Sequence, residues 1–239
     1  MPSCLPLLIL YSLLSSFSVA LHVSDMQLSR VPVSGSPFAL VPAPSTQMQT
    51  LGFDNILATQ VWPSARECAS VLENSVERTW VVVEVGCGPG YPSLTAASLG
   101  CRTVATDISS FALDLVRKAA EEQGFGDRIH TRRFDLTNRA DYGWFDDVDL
   151  VLISDVFESN AVARATAEFT HCLQKTSKTR VWVFAQQDRA QREVFLQELK
   201  NLGEGSLKDL RWERPRDATI PSEAQVYLYD VDECLVRYQ

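Results

Sequence analysis

The 239-residue chain is poor in the residues that usually announce a catalytic centre. It has three histidines, His22, His130 and His171, and they are scattered. No Ser-His-Asp set or His-based metal cluster can be assembled from them. The six cysteines (Cys4, Cys68, Cys87, Cys101, Cys172, Cys234) contain no CxxC pair and no zinc spacing. No disulfide framework is evident, which points to a reducing compartment. Cys68, Cys101 and Cys172 sit among apolar or small neighbours and read as buried small hydrophobes. A basic excess is also missing: 22 Lys and Arg stand against 30 Asp and Glu, a net charge of −8. Such a chain repels phosphate backbones, which argues against nucleic acid as partner. It suits a basic substrate better, either a lysine-bearing protein or a small amine.

Charge is almost absent from residues 1–50, where Asp25 and Arg30 stand alone. Residues 1–20 carry a short apolar run, Leu5 to Leu14, followed by small residues at Ser18 and Ala20. The run is too short to span a bilayer comfortably and has the form of a signal peptide, although its start lacks Lys and Arg. Residues 21–50 are rich in Ser and Pro and show neither helical nor strand period, which reads as a linker or transit segment. A signal followed by a Ser-rich, acid-poor stretch has the form of a two-part address to a plastid of secondary origin. That destination would reconcile a signal with unpaired cysteines better than secretion does. An unprocessed signal would leave the protein in the cytoplasm. No transmembrane span is expected in the folded domain, residues 51–239.

From Trp62 the chain alternates helix-like and strand-like segments. Trp62-Pro63 opens a helix whose apolar face is Ala65, Cys68, Ala69 and Leu72. Val81 to Val85 is an almost unbroken apolar run, the mark of a strand buried on both faces of a parallel sheet. Pro92 and Gly100 bracket a short helix, and Arg102 to Asp107 reads as the second strand. Ser109 or Ser110 can cap a helix with Ala112, Leu115, Val116 and Ala119 on one face. Ile129–Asp135, Leu150–Ile153 and Val181–Phe184 supply three further strands. Asp188 and Gln191 can form a capping box for the next helix. Leu207–Arg214 and Gln225–Val231 close the chain as two strand candidates with no helix between them. This order predicts a doubly wound, mostly parallel α/β sheet with an antiparallel edge strand. Ligands in such sheets sit beyond the carboxyl ends of the strands.

Glu84-Val85-Gly86-Cys87-Gly88-Pro89-Gly90 leaves the first buried strand, and Asp107 lies 21 residues beyond Gly86. Gly86 permits a tight turn and Gly88 a close backbone approach, while Asp107 can accept hydrogen bonds from both hydroxyls of a ribose. A dinucleotide fingerprint needs a small residue at position 91, where this chain has Tyr91, and it places the third glycine at Gly90. Glu84 adds negative charge where a pyrophosphate would sit and favours instead a ligand with an ammonium and a sulfonium. The pattern resembles motif I of class I S-adenosylmethionine-dependent methyltransferases. Asp135, ending the third strand, is placed to accept from an adenine amine, with Leu136 against the ring.

Over roughly residues 58–200 the chain is similar to the methyltransferase-like (family 16) protein-lysine methyltransferases. Val61-Trp62-Pro63-Ser64-Ala65, the Glu84–Gly90 loop, Thr106-Asp107 and the stretch Asp149–Phe157 carry the likeness. The resemblance implies a seven-stranded Rossmann-like sheet, S-adenosylmethionine as cofactor and a lysine side chain as substrate. It implies that Trp62 lines the cofactor cleft and that Asp155 faces the incoming amine. Asp155-Val156-Phe157-Glu158 departs from the family's D-V-x-Y at its fourth position, where Glu158 replaces the tyrosine. Neither is it the N/D-P-P-Y of enzymes that methylate adenine or glutamine amides. Asp155 and Glu158 are the expected catalytic residues, orienting the amine and accepting its proton through water. A small-molecule N- or O-methyltransferase, aminopropyl transfer and a non-catalytic cofactor-binding scaffold stay open beside this reading.

Overall fold

The computed structural model describes residues 23–32, 36–43, 57–145, 147–186, 188–203 and 226–230. The signal expected over 1–20 and the strand candidate Leu207–Arg214 lie outside the described residues. In chain order the strands are β1 (Leu28–Val31), β2 (Ala39–Pro42), β3 (Val81–Val85), β4 (Arg102–Asp107), β5 (Ile129–Arg133), β6 (Leu150–Ser154), β7 (Arg180–Gln186) and β8 (Val226–Asp230). The α-helices are α1 (Pro63–Ser75), α2 (Tyr91–Ser98), α3 (Ser110–Glu122), α4 (Asn160–Thr176) and α5 (Gln191–Leu202).

Strands β3 to β7 form a parallel sheet in the order β5-β4-β3-β6-β7, and β8 pairs antiparallel with β7 from Trp182↔Asp230 to Gln186↔Val226. The sheet therefore has six strands among the described residues, where the family resemblance implied seven. Helices cover both faces. Val83, Val85, Val151, Ile153, Val181 and Val183 pack with Phe169, Phe195 and Leu199 of α4 and α5. Val82, Leu150, Leu152, Trp182 and Phe184 pack with Cys68 and Leu72 of α1 on the other face. Unbroken apolar strands follow from this burial on both sides. Chain progression from β3 to β5 moves toward one edge and then returns to β6 on the other side of β3. The switch point opens a crevice at the carboxyl ends of β3 and β6.

Helix boundaries follow local chemistry. Pro63 occupies the first turn of α1, the Ser109 hydroxyl accepts from the Ala112 N–H at 3.2 Å to cap α3, and Ser159 caps α4 through the Val162 N–H at 3.3 Å. The capping box expected from Asp188 and Gln191 does not form, because the N-cap of α5 is Ala190, which has no side-chain acceptor. Cys68 and Cys101 are buried as expected, whereas Cys172 is half-buried; Cys4 and Cys234 lie outside the described residues.

The expectation of an unstructured linker over residues 21–50 is corrected over the described part of it. β1 and β2 form an antiparallel hairpin with Leu28↔Pro42 and Val31↔Ala39 in register. Phe38, Ala39, Leu40 and Val41 are all buried, in one cluster with Leu113, Val116 and Ala120 of α3. The Gln123 side chain clamps this strand to the helix. It accepts from the Phe38 N–H at 2.8 Å and donates to the Phe38 carbonyl at 2.7 Å. Arg30 lies over the Phe38 ring and pairs with Glu122 at 3.2 Å. Four-residue strands bounded by proline show no period long enough to read, so composition outweighed pattern in this segment.

Candidate functional site

Backbone geometry at the end of β3 fixes the loop that follows. Gly86 has φ +69, and a Cβ there would lie 2.5 Å from Val156 Cγ1. Gly90 has φ +72, and a Cβ there would collide with the Val116 side chain of α3. Any larger residue would have to adopt a left-handed backbone and displace a packed valine at once. The loop can therefore pass closely between β6 and α3 only with glycine at these two positions.

Asp107 closes β4 beside this loop. Its carboxylate accepts from the Gly88 N–H at 2.9 Å and from the Ser109 N–H at 2.8 Å. It thus ties the glycine loop to the N-terminus of α3 while keeping lone pairs for further donors. Burial pushes its carboxyl up, against the opposing effect of the backbone N–H groups of Ser109, Gly88 and Ile108. Ile108, the next residue, is 49% exposed, a large apolar side chain presented to the crevice. Sequence reading did not single it out, although an isolated isoleucine after a strand-ending acid was the available signal.

A cavity of about 300 Å³ collects these groups at the carboxyl ends of the strands. Of the residues expected to bind cofactor, Trp62, Gly86, Gly88, Asp107 and Asp135 line it. Gly90 closes the loop outside the lining, donating its N–H to the Cys87 carbonyl at 2.8 Å. Asp135 Oδ1 accepts from both the N–H and the hydroxyl of Thr137, at 2.9 and 2.7 Å, as part of the turn after β5. Leu136 is buried beside it, and its carbonyl accepts from the Tyr142 hydroxyl at 2.7 Å. Trp62 donates its indole N–H to the Leu57 carbonyl at 3.0 Å, which fixes the ring at the rim.

Glu84 does not face the cavity, which corrects its expected role beside a cationic ligand. Its side chain is fully buried behind the loop. Oε2 accepts from the Ser93 N–H at 2.9 Å and from the Ser93 hydroxyl, at the N-terminus of α2. Burial pushes the carboxyl from an ordinary 4.5 to about 8, with the Ser93 hydrogen bonds opposing and nearby Asp107 adding to the rise. Glu84 is therefore a neutral, structural acid at neutral pH that anchors the helix carrying the loop.

Asp155 and Glu158 both line the cavity, but differently from expectation. Asp155 has φ +58, a left-handed backbone outside glycine, and its side chain is fully buried. Its Oδ1 accepts from Arg189 Nε at 2.9 Å and its Oδ2 from Arg189 Nη2 at 3.2 Å; Gln186 Nε2 also donates to Oδ2. The carboxylate expected to face an amine is already engaged in a bidentate pair. Arg189, missed in the sequence, is 29% exposed at its side chain and lies 5.2 Å from the Trp62 ring centroid. Nothing local in the sequence marks it, because the pairing joins positions 34 residues apart. Glu158 is exposed at the rim.

The residues present fit an S-adenosyl group. A strand-ending carboxylate with free lone pairs, an exposed apolar side chain beside it and a glycine-built backbone cradle meet at one cavity. Its volume is at the lower end of the roughly 300–1,000 Å³ typical of small-molecule sites.

Residues 82–176 match the family model described as "Methyltransferase domain". A curated relative, the ribosomal protein L11 methyltransferase of Exiguobacterium sp. (strain ATCC BAA-1283 / AT1b), is 30% identical over 127 residues, covering 52% of this chain and 40% of that protein. The chain thus spans less than half of that relative. Among solved structures, the RNA methyltransferase from Salinibacter ruber in complex with S-adenosyl-L-homocysteine is 18% identical over 72% of this chain and 92% of its own, with a TM-score of 0.47. The magnesium protoporphyrin IX methyltransferase from Synechocystis PCC 6803 with bound SAM is 17% identical over 69% and 76%, with a TM-score of 0.49. The matched residues, 82–176, include the glycine loop, Asp107, Asp135, Asp155 and Glu158, so most of the cavity lies in the region similar to a methyltransferase domain.

Proposed function

We propose that the protein is an S-adenosylmethionine-dependent methyltransferase acting on a nitrogen of a protein side chain, lysine by preference. The observation that carries the reading is the convergence of the glycine loop, Asp107 and Ile108 on one cavity inside the matched domain. The net charge of −8 and the named target of the 30%-identical relative, ribosomal protein L11, favour a protein acceptor. The motif likeness to family 16 over Asp149–Phe157 supports the same reading.

In this reading Asp107 holds the ribose hydroxyls, Ile108 and Leu136 cover the adenine, and the second oxygen of Asp135 accepts from the adenine amine. The bound cofactor supplies an electrophilic methyl group on a sulfonium. The chain's contribution is then positioning, which can be worth about 7–11 kcal/mol. Trp62, fixed through its indole N–H, forms a flat wall at the rim. Glu158 lines the same cavity and is placed to accept an amine proton through water. A cationic neighbourhood lowers an amine's affinity for its proton, and the Arg189 guanidinium adds to that effect.

A small-molecule acceptor is the second reading, and the guanidinium in the cavity favours it. The experiment that separates them is incubation of the full chain with methyl-labelled cofactor and a whole-cell lysate. Label in a protein band supports the first reading and label in the low-mass fraction the second. No label in either would favour a non-catalytic binding scaffold. Residues 1–20 as a signal, with a plastid ahead of secretion or the cytoplasm, complete the proposal.

A further inference from the structure

We infer that Arg189 selects the substrate by binding a carboxylate next to the methyl-accepting atom. This deepens the methyltransferase reading and rests on it. Arginine carries five N–H donors. Two of them, on Nε and Nη2, are spent on Asp155. Among the described residues no hydrogen bond uses Nη1, and the side chain is 29% exposed in the cavity wall. Arg189 is the one basic residue among the described residues lining the cavity. Asp155 fixes the guanidinium plane through two parallel bonds and Trp62 packs against its face at 5.2 Å. A guanidinium held in this way presents its remaining edge as a preformed fork, the geometry that matches a planar oxyanion.

Strand order decides whose carboxylate this is. Asp107 and Asp135, the adenosine-facing acids, follow β4 and β5, whereas Arg189 follows β7 on the other side of β3. The cofactor's adenosine end and Arg189 thus lie toward opposite edges of the sheet, with the glycine loop between them. The acceptor enters on the β6–β7 side. Glu158, at the same rim, then discriminates against acceptors whose anion is placed away from Arg189, because it repels any carboxylate that the fork does not hold. Suitable acceptors are amino-acid-like: a lysine flanked by an acidic side chain, a chain-terminal carboxylate, or a small amino acid.

The test uses the full chain, wild type, Arg189→Gln and the charge-balanced double variant Asp155→Asn/Arg189→Gln, which leaves no unpaired buried carboxylate. Methyl transfer is measured into a lysate and into the same lysate after carbodiimide amidation of its carboxylates. Both variants should transfer at least about tenfold less than wild type into untreated lysate, the effect expected for one hydrogen-bonded ion pair. With amidated lysate, wild type and variants should converge, and affinity for S-adenosylhomocysteine should stay within about threefold throughout. An undiminished rate in the variants, or a variant-to-wild-type ratio that amidation leaves unchanged, overturns the inference. A tenfold loss of S-adenosylhomocysteine affinity also overturns it, assigning Arg189 to the cofactor's own carboxylate. Wild type that labels nothing fails the methyltransferase reading itself, and this inference with it.

Discussion

Replacing Glu84 by glutamine isolates the cost of keeping an acid under the cofactor loop. The folded carboxyl holds its proton to about pH 8, whereas an unfolded one releases it near its ordinary 4.5. Between those values the folded chain binds the extra proton, so rising pH favours unfolding throughout that window and has no further effect above it. At roughly 1.4 kcal/mol per pH unit, the stability lost between about pH 5 and pH 8 is on the order of 3 kcal/mol. Glutamine keeps an acceptor for the two bonds from Ser93. Its amide takes the place of Oε1, which has no hydrogen-bond partner among the described residues. Urea unfolding of wild type and Glu84→Gln at the two pH values measures the difference. The two proteins should be nearly equal near pH 5, and the variant should be more stable near pH 8 by roughly 3 kcal/mol. A gap between them that stays constant with pH, within about 0.5 kcal/mol, would mean that Glu84 does not titrate as a buried acid.

Asp107→Ala removes an acceptor shared by the loop and the proposed ribose. Affinity for S-adenosylhomocysteine should fall by about ten- to a few hundredfold, with bonds to a charged group each worth roughly 1.5–3 kcal/mol. The same change should lower the urea midpoint, because the Gly88 and Ser109 N–H groups lose their partner. Leu40→Ala should cost roughly 2–5 kcal/mol, since Leu40 is 2% exposed in the core beside α3. A cost below about 0.5 kcal/mol, as for a linker residue, would contradict the docked hairpin. A fusion of residues 1–50 to a fluorescent reporter should leave the cytosol. Cytosolic fluorescence with an intact Met1 would contradict the targeting proposal.

The sheet was legible because burial on both faces writes itself into sequence as Val81–Val85, Leu150–Ile153 and Val181–Phe184, and glycine positions 86 and 90 answer to single packing partners, Val156 and Val116. Asp107 was legible from spacing alone. What stayed hidden depends on pairings between distant positions. Asp155 has the sequence look of a carboxylate presented to substrate, and the contacts from Gln186 and Arg189, 31 and 34 residues away, show it engaged. Glu84 belongs to the glycine motif by sequence, yet its buried side chain does not line the cavity and is received by Ser93. The hairpin escaped because Phe38–Val41 is a short apolar run inside Ser- and Pro-rich sequence, and its partner is a helix more than 70 residues later.

The most direct measurement of the central claim is a calorimetric titration of the full chain with S-adenosylhomocysteine, repeated with NAD and with the Asp107→Ala variant. The site described here predicts saturable binding of S-adenosylhomocysteine at one site per chain. Asp107→Ala should weaken that binding at least about tenfold, and wild type should show no saturable response to NAD. Saturable NAD binding with no response to S-adenosylhomocysteine would contradict it.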